Sequence, residues 1–343
     1  MNAPHRLRLD SAALVANWRA LAALSGPAAC GAAIKADGYG LGAVEVARRL
    51  AQAGCRDFFV ATWAEAEALA PLGLPVAVLH GVREEDMATA PQGFAWPVLN
   101  TERQVARWRA AGGGRCDVMV DTGMSRLGIA AAAVCDGTLD GLEIGTLMSH
   151  LASADEDSPL NGRQLAAFTS LKGHHPAKRM SLANSAAIAF GRDYAFDLTR
   201  PGLALYGGVP REELAGTLRQ VVTPEAQILQ RRRLQPGDVI GYNALFTAER
   251  STEVAILNLG YADGYWRGFS QRGAAHHGEA RLPVLGRVSM DLTAIAVDAV
   301  PDLAEGDWVA IDYALPEAAA LSGMSQYELL TGLGKRFDRM WVG

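Results

Sequence analysis

The sequence predicts an α/β protein in which an N-terminal (β/α)8 barrel is followed by a C-terminal all-β domain. Eight apolar runs of strand length recur between residue 30 and about 208, each closed by a polar or glycine-rich turn, usually with a helical pattern behind it. Eight regular units within about 190 residues favour closure of the sheet over an open, doubly wound one. Past residue 215 the texture changes to short β-rich runs cut by Pro-Gly and Gly-Asp turns.

Taken in order, the expected barrel strands are CGAAIKA, DFFVAT, PVAVLHG, FAWPVLN, CDVMVD, LEIGTLMSH, RMSLANS and TRPGLALYGG. Between them lie helical stretches such as GAVEVARRLAQAG, WAEAEALA, TERQVARWRAAG and NGRQLAAFTSLKG. The β-rich runs that follow are VVTPEAQILQRRRLQPGDVIGY, TEVAILNLGYADGY, ARLPVLGRVSMDLTAIAV and GDWVAIDY. This reading divides the chain into a barrel at residues 1–217 and a β domain at 218–343.

The 343 residues, 50% hydrophobic and 20% charged, suffice for one large domain and a smaller one. A net charge of -5 advertises no polyanion-binding face, so nucleic acid is not an expected partner. No apolar stretch approaches the length of a membrane span, and the N-terminus has no signal-peptide core. Four scattered cysteines (Cys30, Cys55, Cys116, Cys135) never form CxxC, which points to a reduced, cytoplasmic protein. The pairs His174-His175 and His276-His277 are expected in glycine-rich loops, and adjacent side chains diverge, so no metal is expected.

Barrel active sites lie at the C-terminal strand ends. Here those ends read Lys35, Thr62, His80, Asn100, Asp121, His150, Ser185 and Arg200. The stretch AAIKADGYGLG stands out, because an apolar run ends in one lysine and breaks into Asp37, Gly38, Tyr39 and Gly40. A strand-end lysine can simply snorkel to water. Held in a low-dielectric mouth, its amine instead becomes available to condense with an aldehyde cofactor. Pyridoxal 5'-phosphate (PLP) is the obvious aldehyde, and its phosphate needs donors. Ser185, Tyr39 and the backbone at Gly202 are candidates.

IKADGYGLG, DTGMSRLGI, MSHLASADE, ANSAA, TRPGLALYG, GYNALF, LGYADGYWR and GRVSMDL resemble, in order and spacing, the signature segments of the alanine racemases. The resemblance runs from about residue 6 to 340. It implies a PLP-dependent racemase built from a barrel and a β domain, working as a head-to-tail homodimer with shared active sites and supplying D-alanine for peptidoglycan. It implies that Lys35 binds PLP and serves as one catalytic base, with Tyr242 of the partner subunit as the opposite base. Arg126 would contact the cofactor and the substrate carboxylate. Arg200 would face the pyridine nitrogen, with His150 between Arg200 and Tyr242. Tyr39, Ser185, Gly202 and Leu203 would bind the phosphate. Tyr261 and Met290 of the partner subunit would border the substrate.

Two bases on opposite faces of Cα suit racemisation, because neither must move and each can serve either enantiomer. Arginine cannot accept a proton, so Arg200 would leave the pyridine nitrogen unprotonated and favour prompt return of the proton to Cα. Two positions depart from the family pattern. Met119 stands where many members have a modified lysine that orients the substrate arginine, so Arg126 needs another partner: an anion, a water or a carboxylate. Lys335 stands where many have a phosphate-binding tyrosine. Competing readings are a same-fold racemase for serine or a broader range of amino acids, a PLP-dependent decarboxylase, and a non-enzymatic PLP-binding barrel. The last lacks a β domain.

Overall fold

The computed structural model describes residues 3–343. Two compact units emerge: Leu14–Arg219, and Gln220–Gly343 together with strand β1 (His5–Asp10).

The first unit is built on parallel strands whose order in the sheet is their order in sequence. After β2 (Ala29–Cys30) come β3 (Ala32–Ala33), β4 (Phe58–Val60), β5 (Val76–Val78), β6 (Trp96–Leu99), β7 (Arg115–Met119), β8 (Glu143–Met148) and β9 (Arg179–Ser181). The last, β10 (Leu198–Thr199), pairs in parallel with β2. Backbone bonds close the ring. Asp197 N–H donates to Met180 O (3.0 Å) and Arg200 N–H to Ala183 O (2.9 Å). On the other flank, Gly31 N–H donates to Thr199 O (2.9 Å) and Ala33 N–H to Pro201 O (2.8 Å). β2 and β3 are thus one extended segment interrupted at Gly31. A Cβ there would stand 2.8 Å from Asp57 O and 2.9 Å from the Phe59 ring, so only glycine fits. Eight strand positions result, as the sequence predicts.

Ala33, Phe59, Ala77, Val98, Met119, Met148 and Leu198, each from a different strand, pack together as the apolar filling of the barrel. The outer helices follow the expected pattern. In Ala43–Ala53, Ala43, Val46, Ala47 and Leu50 form the buried stripe, and the helix stops at Gly54 in left-handed conformation (φ 117°). Trp63–Leu69 is capped by Thr62 and Glu65, each side chain meeting the other residue's end of the first turn.

The second unit is a closed antiparallel barrel. Its ring runs β14 (Thr252–Leu257), β17 (Thr293–Ala296), β16 (Ala280–Leu285), β15 (Ala274–His277), β18 (Trp308–Ile311), β11 (Val222–Leu234) and back to β14. β11 closes the ring by bending at a register shift between Ile228 and Gln230. Its first half pairs with β1 and β18, its second half with β14. β1 also pairs in parallel with β19 (Asp338–Val342). The expected boundary at residue 217 places β1 with the barrel, but the strand joins the second unit. Its alternation explains where it goes, since Leu7 and Leu9 are fully buried on one face while Arg8 is exposed. His276 and His277 lie in β15 rather than in a loop. Two short helices, Leu315–Ser322 and Gln326–Thr331, complete the unit.

Candidate active site

Each strand end named from the sequence lies just beyond its strand in the first unit. Lys35 follows β3 and is half-buried. Its pKa is lowered, first by burial and then by the Arg126 charge, with Glu65 acting in the opposite sense. Behind it the chain winds left-handed: Ala36, Asp37, Gly38 and Tyr39 have φ of 53°, 54°, 64° and 54°. Consecutive left-handed residues cost about 1–2 kcal/mol each for non-glycine side chains, so the turn must be held from outside. Gly38 N–H donates to Ile34 O and Gly40 N–H to Ala36 O, both at 2.8 Å. Ala43 N–H donates to Asp37 Oδ1 (2.9 Å), tying the turn to the next helix. Ala36 N–H donates to Glu65 Oε1 (2.7 Å).

The turn delivers Tyr39 to the segment after β10. Its ring stacks on Tyr206 (4.7 Å between centroids, 27° between planes). A Cβ on residue 202 would stand 2.2 Å from the Tyr39 hydroxyl, so Tyr39 fits there only because Gly202 has no side chain. Ser185 is buried, and its Oγ accepts from Gly202 N–H (2.8 Å) and Ala204 N–H (3.2 Å). Leu203 is buried beside them at the start of the 3-10 turn Leu203–Tyr206. Hydroxyls and backbone amides therefore meet around a residue without a Cβ, and that donor set suits a phosphate. With an amine of lowered pKa on the neighbouring strand end, these residues fit PLP.

Arg200 is buried and donates to Ser181 Oγ and to Ser149 O. Burial brings its pKa down to about 10, still far above neutrality. His150, after β8, has its pKa pushed down to about 3 by burial and by the charges of Arg200, Arg126 and Lys35. Both effects favour the neutral imidazole. Arg126 is exposed at the end of a loop folded by Asp121, whose Oδ1 accepts from the N–H groups of Gly123 (2.8 Å), Met124 (3.0 Å) and Ser125 (3.1 Å). Burial works against the Asp121 carboxylate, but the three donors outweigh it and its pKa is lowered. Met119 is packed within the apolar barrel filling and carries no charge toward Arg126.

Tyr242, Tyr261 and Met290 belong to the second unit. Tyr242 is 66% exposed and Met290 54% exposed. Tyr242 sits between β12 (Val239–Ile240) and β13 (Phe246–Thr247), in a turn where Gly241, Asn243 and Ala244 all have positive φ. Tyr261 and Met290 are brought together by backbone bonds from Tyr261 N–H to Ser289 O (3.0 Å) and from Ala262 N–H to Met290 O (2.9 Å). Arg267 lies 4.9 Å from the centre of the Tyr261 ring. Lys335 is exposed in the same unit.

Sequence reasoning missed Glu65, Tyr206, Ser149 and Ser181. Glu65 had a signal, since Thr62-x-x-Glu65 ahead of an apolar stripe is a capping box. Tyr206 acts by stacking, Ser149 through its backbone carbonyl and Ser181 through its hydroxyl, and none of these leaves a spacing signature.

Comparison with known proteins agrees with this architecture. The family model for the alanine racemase N-terminal domain matches residues 9–210, and that for the C-terminal domain matches 221–341. An alanine racemase of Acidiphilium cryptum is 41% identical over 356 residues, covering 99% of this chain and 99% of its own. A catabolic alanine racemase of Rhizobium johnstonii is 40% identical over 357 residues, covering 98% of this chain and 94% of its own. The crystal structure of alanine racemase from Bartonella henselae with covalently bound pyridoxal phosphate superimposes with a TM-score of 0.90 at 35% identity, covering 99% of this chain and all of that one. Barrel, β domain and donor set together define a PLP-dependent amino-acid isomerase. The chain belongs to the alanine racemase family.

Proposed function

We propose that the enzyme interconverts L-alanine and D-alanine by a two-base exchange of the Cα proton, with Lys35 on one face and Tyr242 of a second copy on the other. The observation that carries this is the Lys35 amine, half-buried and shifted toward its neutral form at a barrel mouth built for a phosphate. Bound PLP supplies the electron sink that acidifies Cα–H. Tyr39, Ser185, Gly202 and Leu203 hold the phosphate. Arg126 binds the substrate carboxylate and contacts the cofactor, with Tyr261 and Met290 of the second copy bordering the substrate. The exposure of Tyr242 and Met290 supports a role for them against another chain.

A tyrosine base needs positive charge nearby, since burial alone opposes tyrosinate. In a relay Arg200–His150–Tyr242 that charge would reside on Arg200, because burial and the neighbouring cations favour neutral His150. Arg200 at the pyridine nitrogen would keep that nitrogen unprotonated and favour return of the proton to Cα.

The reading extends to a cytoplasmic homodimer that supplies D-alanine for peptidoglycan. Cys30, Cys55 and Cys116 are buried and unbridged, which suits a reducing compartment. A catabolic role is the second reading, favoured by the name of the Rhizobium relative. Incubation with each L-amino acid in deuterium oxide tests the substrate. Alanine should exchange and invert at Cα faster than serine. Faster serine exchange would move the assignment to a serine racemase, and carbon dioxide release without inversion would move it to a decarboxylase.

A further inference from the structure

The left-handed turn behind Lys35 makes a demand that its own hydrogen bonds do not meet. Its first amide, Ala36 N–H, has the Glu65 carboxylate as its acceptor, one residue past Lys35 and across on the segment after β4. The other Glu65 oxygen accepts from Ala61 N–H (2.7 Å) and Thr62 N–H (3.2 Å). A residue that only capped its own helix would need the Thr62 amide and nothing else. Glu65 instead bridges two adjacent strand ends, using both oxygens and accepting from three backbone donors. A glutamine offers one acceptor oxygen and an NH2 group, so it cannot replace all three bonds.

We propose that Glu65 is a positioning residue of the reaction, its carboxylate pinning the turn that aims the Lys35 amine. The proposal rests on the assignment of Lys35 as the PLP-binding base. The electrostatics agree in direction. Of the charged groups around Lys35, Arg126 lowers its proton affinity and Glu65 raises it, while His150 is neutral. Asp37 turns its Oδ1 to Ala43 N–H. Glu65 is therefore placed to limit how far the amine is depressed, as well as where it points.

Glu65→Gln is compared with Thr62→Ala, which removes the other half of the cap but leaves the bond to Ala36 intact. Borohydride reduction of the wild-type holoenzyme, followed by peptide mapping, first shows which lysine carries PLP. A label elsewhere than Lys35 overturns the functional assignment and this proposal with it. The full-length chain, stripped of PLP, is then pulsed with acetic anhydride across pH, and modification of the Lys35 peptide is read by mass spectrometry. In Glu65→Gln the midpoint for Lys35 should fall by roughly half a pH unit or more, while Thr62→Ala leaves it in place despite a comparable loss of thermal stability. In the holoenzyme, kcat of Glu65→Gln should fall about tenfold with KM little changed, as misplacement of a reacting group predicts. Glu65→Asp keeps the charge but shortens the reach, so its midpoint should stay near wild type while kcat falls. With Lys35 labelled in the wild type, the proposal is overturned by an unchanged or raised midpoint in Glu65→Gln, by an equal shift in Thr62→Ala, or by full kcat in Glu65→Asp.

Discussion

Tyr206 stacks on Tyr39, 4.7 Å between ring centroids and 27° between planes, and donates its hydroxyl proton to Ala33 O at 3.1 Å. One buried side chain thereby touches both ends of the segment that carries Lys35: the strand before it and the tyrosine after it. The position of Tyr39 is set as much by this stacking as by its own backbone.

Replacing Tyr206 separates the two contacts. Tyr206→Phe keeps the stack and leaves Ala33 O without this donor, and should cost about 1 kcal/mol. Tyr206→Ala opens a cavity under Tyr39 and should cost about 3–5 kcal/mol, as for other buried aromatic rings. Urea unfolding midpoints measure both. PLP affinity should follow the stack: near wild type in the phenylalanine variant and weakened in the alanine variant.

A methyl group at residue 202 probes the proposed phosphate site directly. Gly202 has φ -125° and ψ -88°, so the constraint is the Tyr39 hydroxyl rather than a left-handed backbone. Gly202→Ala should displace that hydroxyl and weaken PLP binding about tenfold or more, equivalent to roughly 1.4 kcal/mol. Titration of the stripped protein with PLP, followed by absorbance, gives the number. Unchanged affinity would remove Tyr39 and Gly202 from the phosphate site.

His150 makes a pH prediction with a definite sign. Its pKa is about 3 in the folded chain against 6.5 for the free side chain. Below pH 6.5 the unfolded chain takes up a proton that the folded chain refuses, so unfolding binds protons and stability falls. The contribution is complete above about pH 6.5 and is lost progressively as pH drops toward 3. Stability of the PLP-free chain, measured by urea unfolding from pH 7 to 4, should decline less steeply in His150→Gln. Equal slopes would mean that the imidazole is not held neutral.

The barrel was legible because its signals are local and repeated. Each strand ends at a turn, and the ends alone name Lys35, Asp121, His150, Ser185 and Arg200. β1 was harder to place, since six alternating residues do not say which sheet they join; pairing with β11 and β19 decides it. The left-handed turn at Ala36–Tyr39 was foreshadowed only by Gly38, Gly40 and, more weakly, Asp37, because alanine and tyrosine do not signal positive φ. Met119 read as a missing charge, and its packing among Phe59, Val98 and Met148 explains how the barrel accepts a thioether there. Neutral His150 could not be read from sequence at all, since it depends on burial beside Lys35, Arg126 and Arg200, which come from distant parts of the chain.

A shared active site predicts recovery of activity from two inactive proteins. If Lys35 and Tyr242 act from different copies, exchange between Lys35→Ala and Tyr242→Phe dimers places both defects in one site and neither in the other. Random one-to-one exchange gives about half mixed dimers, each with one intact site, so about a quarter of wild-type activity should return. Mass spectrometry of tagged subunits confirms that mixed dimers form. Mixed dimers without activity would return Tyr242 to its own chain or exclude it from the reaction.

The chain has four lysines: Lys35, Lys172, Lys178 and Lys335. Borohydride reduction of the yellow holoenzyme fixes PLP to whichever one carries it, and peptide mass mapping then reads the answer. The added pyridoxyl mass should fall on Lys35 alone, and should be lost, together with racemisation, in Lys35→Ala. A label on Lys172, Lys178 or Lys335, or a wild-type protein that takes up no PLP, would contradict that assignment.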